Sequence, residues 1–173
     1  FIETFVQKVE KLKVGDPLSE ITDMGPLVNS NGLEKIDSQV KDSIKEGAEV
    51  LTGGEQIEGK GYFYKPTVFK NVKPKMRIAQ EEVFWPVAPI IIADDDVEAI
   101  KIGNDTEYGL GASLWTEDLD KSERFSKMIQ SGVVSVNNVV ASDPRVPFGG
   151  VKMSGFGREL SRYGILEFVN IKS

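Results

Sequence analysis

The chain has 173 residues, 27 acidic and 21 basic, a net charge of −6, and is 40% hydrophobic and 28% charged, the profile of one ordinary globular domain able to bury a core. The acidic balance argues against the basic footprint that nucleic acid or an anionic membrane surface requires, and no segment has the roughly 18 apolar residues of a membrane span. There is no Cys and no His, which excludes a disulfide, a thiolate nucleophile or metal site and the usual general base, and fits a cytoplasmic origin.

In chain order, Phe1, Phe5, Val6, Val9 and Leu12 share one helical face and predict an amphipathic helix. It has no initiator Met and no signal-peptide pattern, and reads as a chain entered within a helix. Gly15-Asp16-Pro17 ends it. Asn29 or Ser30 can cap a second helix with Leu33, Ile36, Val40 and Ile44 as its buried stripe and Gly47 as its stop. Ala48 to Thr52 predicts a short strand turned by Gly53-Gly54. Tyr62-Phe63-Tyr64 and Pro66 to Phe69 read as a strand pair or an edge strand, because Pro66 argues against the sheet centre. A short helix is expected over Met76 to Glu82, and Pro86 to Ala93 is an apolar run of the kind buried on both faces of a parallel sheet. Helices near Asp94 to Gly103 and Asp118 to Gln130, the latter with Leu119, Phe125, Met128 and Ile129 inward, alternate with strands at Gly109 to Thr116 and Gly132 to Asn138. That βαβαβ order predicts right-handed crossovers and an α/β fold with a mostly parallel sheet, flanked by helices in three layers. A Gly-rich loop over Phe148 to Gly157, a helix over Arg158 to Gly164 and a strand over Glu167 to Ile171 close a single domain covering residues 1–173.

Few residues suggest chemistry by type alone. The loop from Phe148 to Glu159 lacks the order of glycines and Lys-Ser/Thr of a phosphate-binding loop, so tight turns at positive φ explain its glycines better. Glu81 and Glu82 are adjacent and point apart in any regular structure, which favours a solvated helix end over an acid/base dyad. Trp85, before Pro86, reads equally as core filler or as a ligand-facing aromatic. Asn137-Asn138 at the end of an apolar strand could line a site or terminate the strand. Arg145 lies between Pro144 and Pro147 on a stiff loop, placed either for a substrate carboxylate or as a surface cation.

The wording of the sequence is more specific. Glu81-Glu82-Val83-Phe84-Trp85-Pro86-Val87 resembles the Glu-Glu-x-Phe-Gly-Pro-Val signature of the aldehyde dehydrogenase superfamily. Pro147-Phe148-Gly149-Gly150, with Lys152, Ser154, Gly155 and Gly157-Arg158-Glu159, resembles its C-terminal signature, and Asn104 to Leu110 resembles its Asn-x-x-x-Tyr-Gly-Leu segment. Val14 to Pro17, Gly61-Tyr62-Phe63, Pro66-Thr67-Val68 and Asp118-Leu119-Asp120 fit in the same register. Ser142 to Phe148 and Arg158 to Gly164 look most like succinate-semialdehyde dehydrogenases and related small-aldehyde enzymes.

The resemblance implies thiolate attack on an aldehyde, hydride transfer to NAD or NADP, and hydrolysis of a thioester by glutamate-activated water, with the oxyanion held by backbone N–H and an Asn. In the family the nucleophile, base, oxyanion Asn and cofactor domain precede the segment matching Phe1. The chain is therefore expected to be the C-terminal part of the catalytic domain, to carry no catalytic residue or metal, to bind no cofactor alone and to be inactive alone. By the same resemblance Glu82 matches the glutamate that holds the nicotinamide ribose hydroxyls, Phe84 the aromatic beside that ribose, and Phe148 an aromatic of the substrate tunnel. Arg145 is a further candidate for the distal carboxylate of a semialdehyde. Two departures stand out. Trp85 replaces the family's Gly and is expected to disturb cofactor binding near Glu82. The chain also stops at Ser173, where the family continues into a strand that pairs with another subunit, so that contact is expected to be absent or incomplete, and the docking face left by the missing larger domain is expected to drive self-association. A non-catalytic binding module and a subunit completed by a separate N-terminal chain are the alternatives.

Overall fold

A computed structural model describes residues Phe1–Phe84 and Pro86–Ser173. They form two compact units, Phe1–Ile92 and Ala93–Ser173.

In the first unit, α1 (Ile2–Val9) begins where the Phe1 and Phe5 rings stack, 5.7 Å between centroids. Its Phe5 and Val9, with Leu12 just beyond it, border a cavity of about 380 Å³ whose other wall includes Val83, Pro86 and Val87. Helix α2 (Ser30–Lys45) starts at Asn29, whose side-chain oxygen accepts the Gly32 N–H at 2.9 Å, meeting one of the amide donors a helix start leaves unpaired. Ile36 and Val40 are buried and Leu33 packs beside them. Ile44 is 45% exposed and leaves the expected stripe, and the buried polar pair Gln39 and Ser43 extends it instead. Gly47 stops the helix at φ 101°, a left-handed conformation that a side chain disfavours.

Strand β1 (Glu49–Thr52) pairs antiparallel with β2 (Thr67–Lys70), and β2 pairs parallel with β3 (Val87–Pro89). The strand after Pro66 is thus the centre of a three-stranded sheet, not an edge. Pro66 stands just outside it, so the missing N–H costs no ladder bond, and Thr67 donates its own to Pro86 O at 2.9 Å. Tyr64 forms an isolated antiparallel bridge to Gln56. β3 is shorter than the apolar run suggested and only half-buried, with Ile92 exposed, because β2 is the strand that sits between two neighbours. Phe69 and Val68 of β2 are completely buried, each side chain contributing about 1.5–3 kcal/mol. With Ile36, Val40, Tyr64, Val72, Met76 and Ile78, Phe69 lies in the core of this unit. The short helix α3 (Arg77–Gln80) packs on α2.

In the second unit, Asp95 caps α4 (Asp96–Asn104) and Asp118 caps α5 (Leu119–Met128), each through its carboxylate and the N–H three residues on. Strands β4 (Gly111–Leu114) and β5 (Val133–Val136) run parallel in register, Gly111 opposite Val133 and Leu114 opposite Val136, with α5 as the crossover. Only Phe125 of α5 is buried, while Leu119 is 78% exposed and Met128 43%. The two-stranded sheet is narrower than the inward stripe expected of Leu119, Phe125, Met128 and Ile129. A 3₁₀ turn over Lys152–Ser154 precedes α6 (Ser161–Leu166). The last helix starts three residues later than expected because Leu160 and Ser161 take positive φ, 62° and 51°. Among the described residues 167–173 form no strand, and Phe168 and Ile171 are exposed. Two of the three strand pairings are parallel, and the fold is α/β with mostly parallel pairing and flanking helices.

Candidate functional site

Glu82 and Phe84 lie in the first unit, after α3. Glu81 closes that helix with extended backbone, φ −85° and ψ 154°, so the chain leaves the helix between the two glutamates. Their surroundings then differ sharply. The Glu81 carboxylate accepts Arg77 Nε at 2.7 Å and Gln39 Nε2 at 2.9 Å. Arg77 also donates through Nη1 to Asp42 at 2.8 Å and to Ser38 Oγ at 2.7 Å. The Arg77 guanidinium holds the Glu81 carboxyl below the usual glutamate range, with Gln39 adding to the effect, and Lys45 and Arg77 do the same for Asp42. Glu81 is therefore an anchor within an ion-pair network and not merely a solvated helix end. Glu82 is exposed, and its carboxylate has no hydrogen-bond partner among the described residues. Phe84 is 71% exposed. An exposed carboxylate two positions before an exposed aromatic ring offers acceptors for a vicinal diol and a face for the ring or apolar edge it carries. Trp85, and its expected disturbance of this site, lie outside the described residues.

Gln39 and Arg77 escaped sequence reasoning. Gln39 could have been noticed as a polar residue between Ile36 and Val40, on the face the helical period assigns to the core.

Phe148 and Arg145 lie in the second unit. Phe148 exchanges two 2.8 Å main-chain hydrogen bonds with Glu159 and lines a cavity of about 350 Å³ with Gly149, Phe156, Arg158 and Phe168. The Gly-rich loop is fastened to its own unit. Val151 donates to Gly109 O at 2.9 Å and Met153 to Glu107 O at 2.8 Å, and Ser154 Oγ accepts the Gly109 N–H at 2.9 Å. Lys152 Nζ reaches Asn104 O and Thr106 O at 2.8 and 3.0 Å. Arg158 Nη1 binds Gly150 O and Gly157 O at 3.0 and 2.6 Å. Donors spent in this way do not cradle a phosphate, which agrees with the tight-turn reading. Gly155 and Gly157 have φ of 133° and 71°.

Arg145 borders a cavity of about 510 Å³ with Pro144, Pro147, Arg162 and Tyr163. Its side chain is 86% exposed, but its guanidinium is already engaged. Asp143 accepts Nε at 2.9 and 3.1 Å and Nη2 at 2.5 Å, and Arg145 pushes the Asp143 carboxyl down to about 2. A substrate carboxylate at Arg145 has to compete with this neighbour, a partner that sequence reasoning did not identify. Asn137, at φ 52°, exchanges hydrogen bonds of 2.9 and 2.8 Å with the Thr116 backbone. It ties the ends of β4 and β5 together, so the strand-terminating reading holds for this residue.

Among the described residues no cluster of three or more His, Cys, Asp or Glu could hold a metal ion, and no helix is long and apolar enough to cross a membrane.

Comparison with known proteins shows the family. The succinate-semialdehyde dehydrogenase [NADP(+)] of Mycobacterium avium is 44% identical over 173 residues, all of this chain and 37% of its own length. The corresponding Mycobacterium tuberculosis enzyme is 43% identical over the same span. The chain thus spans well under half the length of these relatives. Among solved structures, an aldehyde dehydrogenase variant from Bacillus cereus superposes with a TM-score of 0.94 at 36% identity, over 99% of this chain and 35% of that one. Betaine aldehyde dehydrogenase from Staphylococcus aureus in complex with NAD+ does so at 0.91 and 34% identity, over 96% of this chain and 34% of that one. The model of the aldehyde dehydrogenase family matches residues 1–173, and the chain belongs to that family.

Proposed function

We propose that the chain supplies the nicotinamide-ribose contact and part of the substrate tunnel for NAD(P)-dependent oxidation of an aldehyde, with succinic semialdehyde as the favoured substrate. The observation that carries this is the exposed Glu82 carboxylate, without a hydrogen-bond partner among the described residues, two positions before exposed Phe84, in the segment that resembles the family signature. These residues fit the ribose end of the cofactor: Glu82 accepts from its two hydroxyls and Phe84 packs against it. The bound nicotinamide would accept the hydride. Phe148 offers an aromatic wall to the substrate. Arg145 offers a cation to a distal carboxylate once it releases Asp143. The relatives named for succinate semialdehyde support that substrate class, and their NADP(+) specificity supports a nicotinamide cofactor.

A chain without Cys or His has neither the thiolate nor the imidazole for attack and proton transfer. The nucleophile and base therefore come from outside these residues, and the chain alone does not turn over. The exposed apolar side chains Phe1, Leu18, Val28 and Phe168 support self-association of the isolated chain, and the acidic composition weighs against nucleic-acid partners.

The test is NAD(P)H formation from succinic semialdehyde by the purified chain, alone and mixed with the part of a mycobacterial relative that precedes the matched segment. Activity in the mixture only, reduced by Glu82→Gln, supports the proposal. Turnover by the chain alone, or a mixture indifferent to Glu82→Gln, overturns it. A mixture without activity favours a binding module.

A further inference from the structure

Gln39 is completely buried on α2, although its neighbours on that face, Ile36 and Val40, are apolar. Its Nε2 donates to Glu81 Oε2 at 2.9 Å and to the main-chain carbonyl of Glu82 at 3.3 Å. Its Oε1 has no partner among the described residues. A buried amide with its acceptor unmet is a poorer choice for stability than a well-packed Leu of similar volume. Helix packing therefore does not account for Gln39. What the side chain does achieve is to hold two consecutive residues at once, gripping one carboxylate so that the next stays free.

The rest of the network has the same geometry. Helix α2 contributes Gln39, Ser38 and Asp42, and α3 contributes Arg77, whose Nε takes the Glu81 oxygen that Gln39 leaves. With both carboxylate oxygens of Glu81 tied down, the peptide that follows has little freedom to rotate. Glu82 then projects from a fixed backbone with its own carboxylate unengaged.

We infer that Gln39 is a positioning residue for Glu82: by clamping the Glu81 carboxylate and the Glu82 carbonyl together, it sets the direction in which Glu82 meets the nicotinamide ribose. The inference rests on the ribose-binding reading of Glu82 given above. Glu81 is in turn the anchor through which Gln39 acts, so the adjacent glutamates have separate tasks, one structural and one for binding.

The test uses the whole chain with Gln39→Leu, Glu82→Gln and the double variant; for binding it is mixed with the part of a mycobacterial relative that precedes the matched segment, with nicotinamide mononucleotide as probe. Gln39→Leu keeps the buried volume, and its folding is checked by the unchanged amide spectrum of the β1–β2 core. In that variant the backbone order parameters at Glu82 and Val83 should fall from about 0.85 to below about 0.6, and the Glu81 carboxyl titration should move up toward the usual glutamate value as it loses a donor. Probe affinity, read from amide shifts, should weaken about tenfold, as for loss of a hydrogen bond to a charged group. Adding Glu82→Gln should then cost little more, because both changes remove the same contact. Additive losses would mean that Gln39 acts elsewhere. Unchanged order parameters and an unchanged Glu81 titration overturn the inference whether or not the probe binds. A parent chain that still does not bind the probe when mixed with that preceding part overturns the ribose reading, while the relaxation and titration data still decide whether Gln39 holds the loop.

Discussion

Gly132→Ala gives the strictest test of how the Gly-rich loop is seated. Gly132 precedes β5 and donates its N–H to Gly109 O at 2.9 Å. A methyl group there would meet the Gly149 carbonyl carbon at 2.8 Å and Gly150 Cα at 3.2 Å, with the Gly149 oxygen nearer still. All three are main-chain atoms, so no side-chain rotation relieves the overlap. The loop also lacks room to retreat, because a Cβ on Gly150 would itself lie 2.5 Å from Ser154 Cβ. Overpacking a tight site costs about 1–3 kcal/mol. The stiffer unfolded chain returns about 0.4–1 kcal/mol. The net expectation is a loss of about 1 kcal/mol, together with displacement of Phe148 from its cavity wall. Gly103→Ala is the control. It lies in α4, a Cβ there meets no heavy atom within 4 Å, and an Ala in a helix gains about 0.5–1 kcal/mol over Gly. Equilibrium urea unfolding, followed through amide signals of residues 93–173, measures both. A Gly132→Ala protein as stable as its parent, or one no less stable than Gly103→Ala, would refute the packing argument.

Asn29→Ala should cost about 1 kcal/mol by leaving the Gly32 N–H without its cap, read as a lower thermal midpoint; an unchanged midpoint would mean that the helix starts elsewhere. The Arg77 network predicts an acid dependence. Glu81 and Asp42 titrate below their usual values of 4.5 and 3.8 when folded, so over that range the unfolded chain binds more protons and stability falls as pH drops through and below it. Arg77→Ala should flatten this decline in urea midpoints measured against pH, and a profile parallel to the parent's would show that the pairs do not form in solution.

Much of the fold could be read because local signals coincided. Asn29, Asp95 and Asp118 each stand before a helical period and each caps a helix. Gly47 falls where a left-handed stop is needed. The parallel β4–β5 pair with α5 between them follows from strand-helix-strand order alone. The misreadings concern neighbours distant in sequence. Whether β2 is central or at an edge depends on where β1 and β3 pair, and Pro66 excludes only its own position from the ladder. The inward faces of α2 and α5 lost Ile44, Leu119 and Met128 because the period gives a direction but not the width of the surface it meets. The apolar tail from Glu167 to Ile171 has strand composition, but composition supplies no partner.

The candidate site divides the same way. Glu82, Phe84, Phe148 and Arg145 stand out by residue type and by their place in recognisable strings. What disciplines them does not: Gln39 is 43 positions from the Glu82 carbonyl it holds, and Arg77 finds Asp42 and Ser38 across 35 and 39 positions. Asp143, by contrast, is only two residues from Arg145, near enough to have been considered from sequence, and its grip goes with a turn in which the Val146 N–H donates to the Asp143 carbonyl at 3.1 Å. Sequence motifs pick out candidate groups by residue type and order. Residues proposed to aim them are recruited by packing, and a buried Gln whose Oε1 has no partner among the described residues becomes visible as a candidate only after the helices are placed.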